Sequence, residues 1–174
     1  MSIGRERRGS EIRERKDEKT GRAIWQVTHS HLESKHAYYD ICPWDPSGKY
    51  LVFSSARPSD VATSYRDGYS TLHGMVCVAD TESWEIETVA RDAFYIAHVG
   101  AFPLWHPLKR RIFFRRSPDE IGMVDLDQDV ELVIEGGLRQ LSPDGMTFVF
   151  TTNELDQQDP PGAVSYTHLT LPTN

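Results

Sequence analysis

Trp44-Asp45-Pro46-Ser47-Gly48-Lys49-Tyr50-Leu51-Val52-Phe53 decides the fold, because the chain spells the same phrase twice more. Trp105-His106-Pro107-Leu108-Lys109-Arg110-Arg111-Ile112-Phe113-Phe114 and Leu141-Ser142-Pro143-Asp144-Gly145-Met146-Thr147-Phe148-Val149-Phe150 repeat its order of residue types. In each copy a proline fixes φ at the head of a tight turn. A β-branched and aromatic run follows, which suits a pleated, half-buried strand. One supersecondary unit repeated in this way is the signature of a propeller or a solenoid. The prolines lie 61 and 36 residues apart. Those intervals bracket the roughly 40 to 50 residues of a four-stranded blade once residues 56–70 are taken as an insertion in the first.

Outward from the phrase, the first blade reads as strands A near 36–42, B at 50–54, C around 74–79 and D at 84–90. The second has A near 97–102, B at 111–115, C at 121–125 and D at 130–134, and the third stops after A around 138–141 and B at 147–151. The expected class is therefore all-β, a partial β-propeller of two complete four-stranded blades and half of a third. Residues 20–28 read as a D strand with no A, B or C before it. Such a strand closes a complete ring by joining the last blade, which removes an open sheet edge.

Composition bounds the rest. With 174 residues, 39% hydrophobic and 26% charged, the chain is a soluble globular type. A net charge of -7 argues against a general nucleic-acid binder, since phosphate neutralisation needs a basic surface. No apolar stretch approaches a membrane span, and residues 1–20 lack the apolar centre of a secretory signal, so a cytoplasmic protein without a membrane partner is expected. Residues 1–19 read as a charged arm, a solvated helix or disordered, with nearly balanced signs. Cys42 and Cys77 read as small buried hydrophobes about 9 to 10 Å apart on one blade, too far for a bridge. At the other end, Val164-Ser165-Tyr166-Thr167-His168-Leu169-Thr170-Leu171-Pro172-Thr173 looks like a translated transposase-type sequencing adapter. Residues 164–174 are accordingly expected to stand outside the native fold, which leaves 20–163 as an incomplete propeller domain and the chain as the front part of a longer protein.

The leading strand at 21–28, the element His36-Ala37-Tyr38-Tyr39, and residues 45–53 followed by Ser54-Ser55-Ala56-Arg57 together resemble the oligogalacturonate lyase family of β-propellers, over residues 11–153. The proline turn is shared by WD40-like and TolB-like propellers at large and identifies architecture alone. The leading strand with the His-x-Tyr-Tyr element is more specific. The resemblance implies a seven-bladed ring that cleaves acidic uronate oligosaccharides by β-elimination. It also implies a divalent metal, manganese, held by histidines and a glutamine in later blades. It assigns no cofactor, metal ligand or catalytic base to this chain, which is expected to be inactive without its C-terminal blades. The insertion at 56–70 departs from the family pattern.

Strands A and B run antiparallel, so the start of A and the end of B share one face. That places His36, Arg57, Arg66, His98 and Arg115 together as candidate substrate-binding residues around an axial funnel. A cationic funnel on an acidic protein suits a carboxylate-rich ligand, because guanidinium pairs with carboxylate bidentately and focused charge steers anions inward. Arg66, deep in the insertion, reads equally well as a solvated loop charge. Histidines heading inner strands are more often hydrogen-bonded structural residues than bases. His29-x-His31 lacks a third ligand for a metal. Trp44 and Trp105, at equivalent positions, read as packing between blades. The alternative function is a non-enzymatic WD40-like or TolB-like propeller that serves as a protein-binding scaffold; histidines and a glutamine in later blades would separate the two.

Overall fold

The repeated phrase folds the same way three times. Asp45 N–H donates to Tyr50 O at 2.9 Å, His106 N–H to Arg111 O at 2.8 Å and Ser142 N–H to Thr147 O at 2.9 Å, each bond closing a turn between residues five positions apart. The side chain of the leading residue then caps its own turn. Asp45 Oδ1 accepts from Tyr50 N–H at 2.8 Å, Ser142 Oγ from Thr147 N–H at 2.9 Å, and His106 Nδ1 from Leu108 N–H at 3.0 Å.

The computed structural model describes residues 5–56, 71–96, 100–151 and 166–170, and among these the structure is all β, without a helix. The strands are β1 (Glu6–Ser10), β2 (Arg13–Lys16), β3 (Ala23–Gln26), β4 (Ser34–Lys35), β5 (Tyr50–Ala56), β6 (Thr71–Asp80) and β7 (Glu85–Ile96). They continue as β8 (Leu104–Trp105), β9 (Arg111–Ser117), β10 (Glu120–Asp125), β11 (Val130–Glu135), β12 (Gly137–Leu141), β13 (Thr147–Thr151) and β14 (Tyr166–Thr170). All pairings are antiparallel. They give a first sheet ordered β1-β7-β6-β5-β4, a second ordered β11-β10-β9-β8, a third ordered β12-β13-β14, and a separate β2–β3 hairpin.

Three sheets stack face to face, and the two-residue period of the strands sorts side chains between the layers. Ile112 and Phe114 of β9 point to the first sheet and meet Val52, Val76 and Val89. Phe113, between them in sequence, points to the third sheet, where its ring meets Phe148 edge-on at 4.6 Å. Phe114 also crosses β10 at Gly122, where a Cβ would lie 2.3 Å from the ring, so only glycine fits. The far face of the first sheet buries Phe53, Cys77 and Ile86 under Val27 and Leu32 of the N-terminal segment.

The outer strands fall close to their expected places, but the inner ones do not. Only Ser34 and Lys35 pair with β5, opposite Ser55 and Ser54; the chain then leaves the ladder and touches it again at Trp44, bridged to Leu51. The expected strand at 36–42 fails because residues 38–41 close their own turn, with Ile41 N–H on Tyr38 O at 2.9 Å, and Pro43 has no N–H to give. In the second sheet the inner strand is Leu104–Trp105 rather than 97–102. Gly100 and Phe102 have left-handed φ of 60° and 54°, and Pro103 follows, so a strand cannot run through them. Residues 97–99, like the insertion at 57–70, lie outside the described residues.

The N-terminal arm is neither helical nor irregular. β1 adds to β7 as a fifth strand, with a register shift between Arg7 and Gly9, where Gly9 takes a φ of 74°. β2 pairs with β3, so the expected ring-closing strand finds its partner in its own hairpin. A charged strand is tolerated there because all four β2 side chains are exposed at an edge. Residues 166–170, expected to stand outside the fold, form β14 on the open edge of β13, as their strand propensity allows. Cys77 is buried, but Cys42 is exposed because no inner strand runs through it; both are free thiols. Trp105 is buried between sheets and donates Nε1–H to Pro43 O at 3.0 Å, whereas Trp44 stays 42% exposed and does not pack between layers.

Candidate functional site

At the end of the stack where inner strands begin and the strands after the turns end, hydrogen bonds link the sheets in a row. Lys35 pairs with Ser54, and the buried Ser54 Oγ accepts from Ala101 N–H at 2.9 Å. Ala101 O accepts from Arg115 N–H at 2.8 Å, and Arg115 Nη2 donates to Leu138 O at 3.5 Å at the start of the third sheet. The Arg115 guanidinium lies 4.8 Å over the Phe102 ring. Cation–π contact and a carbonyl partner hold this side chain half-buried in one orientation.

His36, one residue beyond β4, is exposed and lines a groove of about 160 Å³ with Val27, Ser34, Lys35, Leu51 and Phe53. Leu51 and Phe53 belong to the face of the first sheet turned away from the second. Phe102, under Arg115, packs against the cluster between the second and third sheets. His36 and Arg115 thus share an end of the stack but open to different sides of it. Arg57, Arg66 and His98 lie outside the described residues.

A buried polar network on the far face of the first sheet had no counterpart in the sequence reading. Arg8 Nη2 meets Glu11 Oε1 at 2.6 Å, with side chains 12% and 14% exposed, and Arg8 Nη1 donates to Ser55 Oγ at 3.2 Å. Ser55 Oγ is 2.8 Å from Ser34 Oγ, and Glu11 Oε2 accepts from His29 N–H and Ser30 N–H at 3.2 Å each. Burial opposes the Glu11 charge, but the Ser30 amide and the Arg8 guanidinium outweigh it and hold the carboxyl below its ordinary range. Cys77, beneath Arg8, has its thiol pushed up by burial, which suits packing and not nucleophilic attack. The Ser54-Ser55 pair at the end of an apolar strand was the available signal.

A second groove of about 420 Å³ lies between the first two repeat turns and the β10–β11 turn. Its charges are mutually satisfied: Arg111 meets Asp125 at 2.5 Å, and Arg110 meets Asp127 at 3.1 Å while lying 4.8 Å over Tyr50. It ties turns together and offers no net charge to an ionic ligand. Among the described residues, no group of three or more His, Cys, Asp or Glu could hold a metal ion.

No protein-family model and no curated protein matches the chain. Solved structures do match in fold, two of them oligogalacturonate lyases. One is an oligogalacturonate lyase from Vibrio parahaemolyticus, at a TM-score of 0.62 and 13% identity, over 87% of this chain and 38% of that one. The other is an oligogalacturonate lyase in complex with manganese, at a TM-score of 0.63 and 14% identity, over 87% and 38%. The likeness is one of fold, and the chain spans 38% of the length of each.

Proposed function

We propose that this chain forms the opening blades of a β-propeller lyase that breaks acidic uronate oligosaccharides by β-elimination. The observation that carries this reading is the likeness in fold to two oligogalacturonate lyases across 87% of the chain. On this reading the first two sheets are complete blades, the third is part of one, and the ring has seven. The linked end that carries Lys35 and Arg115 belongs to the propeller face that surrounds the axial funnel.

β-Elimination removes the proton α to the uronate carboxylate and breaks the glycosidic C–O bond β to it, leaving an unsaturated sugar. Positive charge at the carboxylate stabilises the enediolate-like transition state. This chain supplies charge rather than the base. Arg115 is pre-oriented to receive a carboxylate, and Arg57, Arg66, His36 and His98 belong to the same proposed binding set. One similar structure is a manganese complex; on this reading the ligands of such a metal lie in later blades.

A protein carrying the later blades should convert oligogalacturonate to a product with the ultraviolet absorbance of an unsaturated uronide, and chelation should abolish this. Arg115→Ala should raise KM roughly tenfold, the loss of about one charge-assisted hydrogen bond. No absorbance from the longer protein overturns the lyase reading, and activity indifferent to chelation overturns its metal dependence.

A further inference from the structure

Two groups of cations contrast among the described residues. Across the sheets, Arg5, Arg8, Arg91, Arg110, Arg111 and Arg116 each face a carboxylate within ion-pair distance. In the β2–β3 hairpin and its turn, Arg13, Arg15, Lys16, Lys19 and Arg22 are exposed, and their side chains make no ion pair or hydrogen bond among the described residues. Among the described residues the three carboxylates of the same segment form no ion pair with them, and they leave the segment a positive balance. Asp17 caps its own turn, accepting from the Lys19 and Thr20 amides at 3.0 and 2.7 Å. Glu14 lies opposite Trp25, on the face away from Arg13 and Arg15, and Glu18 sits in the turn.

The register sorts this charge. Arg13 pairs with Gln26 and Arg15 with Ile24, so both guanidiniums rise from one face of the hairpin, about 6.5 Å apart along the strand. The other face holds Trp25, 57% exposed, with its ring 6.1 Å from that of Trp84. An edge strand gains protection from charge of either sign; two adjacent, unpaired guanidiniums on a chain of net charge -7 select an anionic partner. A nucleic acid fits less well, because the Arg13–Arg15 face carries no aromatic side chain for a base to stack on.

We propose that the outer face of the β2–β3 hairpin is an accessory site for a polyuronate chain, which lays successive carboxylates on Arg13 and Arg15 away from the axial end. The choice of uronate rests on the lyase reading above.

The test is affinity electrophoresis of the 174-residue chain in native gels containing polygalacturonate at low salt. Retardation is expected, with an apparent Kd weakened at least about tenfold in Arg13→Gln/Arg15→Gln. Lys49→Gln/Arg91→Gln, which removes the same charge from exposed sites on the first sheet, should bind as the parent does. Arg13→Lys/Arg15→Lys, keeping charge without the guanidinium fork, should fall between. Unfolding midpoints equal to the parent's establish that the variants are folded; a lower midpoint in the Gln pair moves the comparison to the Lys pair. The inference is overturned if the chain is not retarded, if both Gln pairs weaken binding equally, or if fully methyl-esterified polymer or RNA retards it as strongly. A longer protein that fails to cleave oligogalacturonate overturns the lyase reading and leaves this assay interpretable. A cleaving protein whose hairpin variants still hold the polymer overturns only the accessory site.

Discussion

Asp45, His106 and Ser142 hold equivalent positions and cap equivalent turns, yet only His106 brings an imidazole to the turn. It is 4% exposed, and its Nδ1 is occupied by the Leu108 amide. Burial, with Lys109 and Arg111 beside it, lowers its pKa, while a hydrogen bond to the Gly145 backbone and the charge of Asp125 act the other way. The unfolded chain takes up this proton near pH 6.5, whereas the folded chain resists it. Stability from this residue is therefore intact above about pH 6.5 and is lost as pH falls through the lower folded value. Melting curves at about pH 7.5 and 5 should show a larger loss on acidification in the parent than in His106→Asn, whose side chain can still cap the turn. Equal losses would count against it. The turn was legible because proline and small polar residues act locally. The burial of its histidine was not, because that depends on the turn of the next repeat.

At the level of strands, those written as apolar alternation were found nearly in place, β9 to β13 above all. The inner strands were not, since their ladder is broken by left-handed residues and prolines that tertiary contacts accommodate. The arm was misread for a related reason: its charges suggested solvent, whereas Arg8 reaches Ser55 and Cys77, 47 and 69 residues away. The Arg8–Glu11 pair is the staple between arm and sheet. Each of Arg8→Ala and Glu11→Ala should cost about 2 kcal/mol in urea unfolding, because each strands a poorly solvated partner. The double variant should cost clearly less than their sum. Strict additivity would show that the two side chains contribute independently.

Across the whole molecule, the stack predicts a gradient of rigidity. Amides of β6, β9 and β10, flanked by strands and buried on both faces, should exchange slowest, and those of β2 and β3, outside the shared core, fastest. Native-state hydrogen exchange checks this, and uniform protection would contradict it. The candidate site was half legible on the same scale. Antiparallel pairing put His36 and Arg115 at one end of the stack, but which side of a layer each opens to depends on register, which a single sequence does not state. The contact between His106 and the Gly145 backbone reaches further. A side chain on Gly145 would enter the space of the His106 ring, 2.3 Å from its Cε1, and the backbone there has a φ of 72°. The third turn is thus cut to fit the second, whereas a side chain at the equivalent Gly48 would meet open space, and the repeats are not interchangeable beads. Moved behind a different neighbour, the third repeat would lose the ring that its glycine accommodates, so the pairing of His106 with Gly145 is an address that seats the third sheet behind the second.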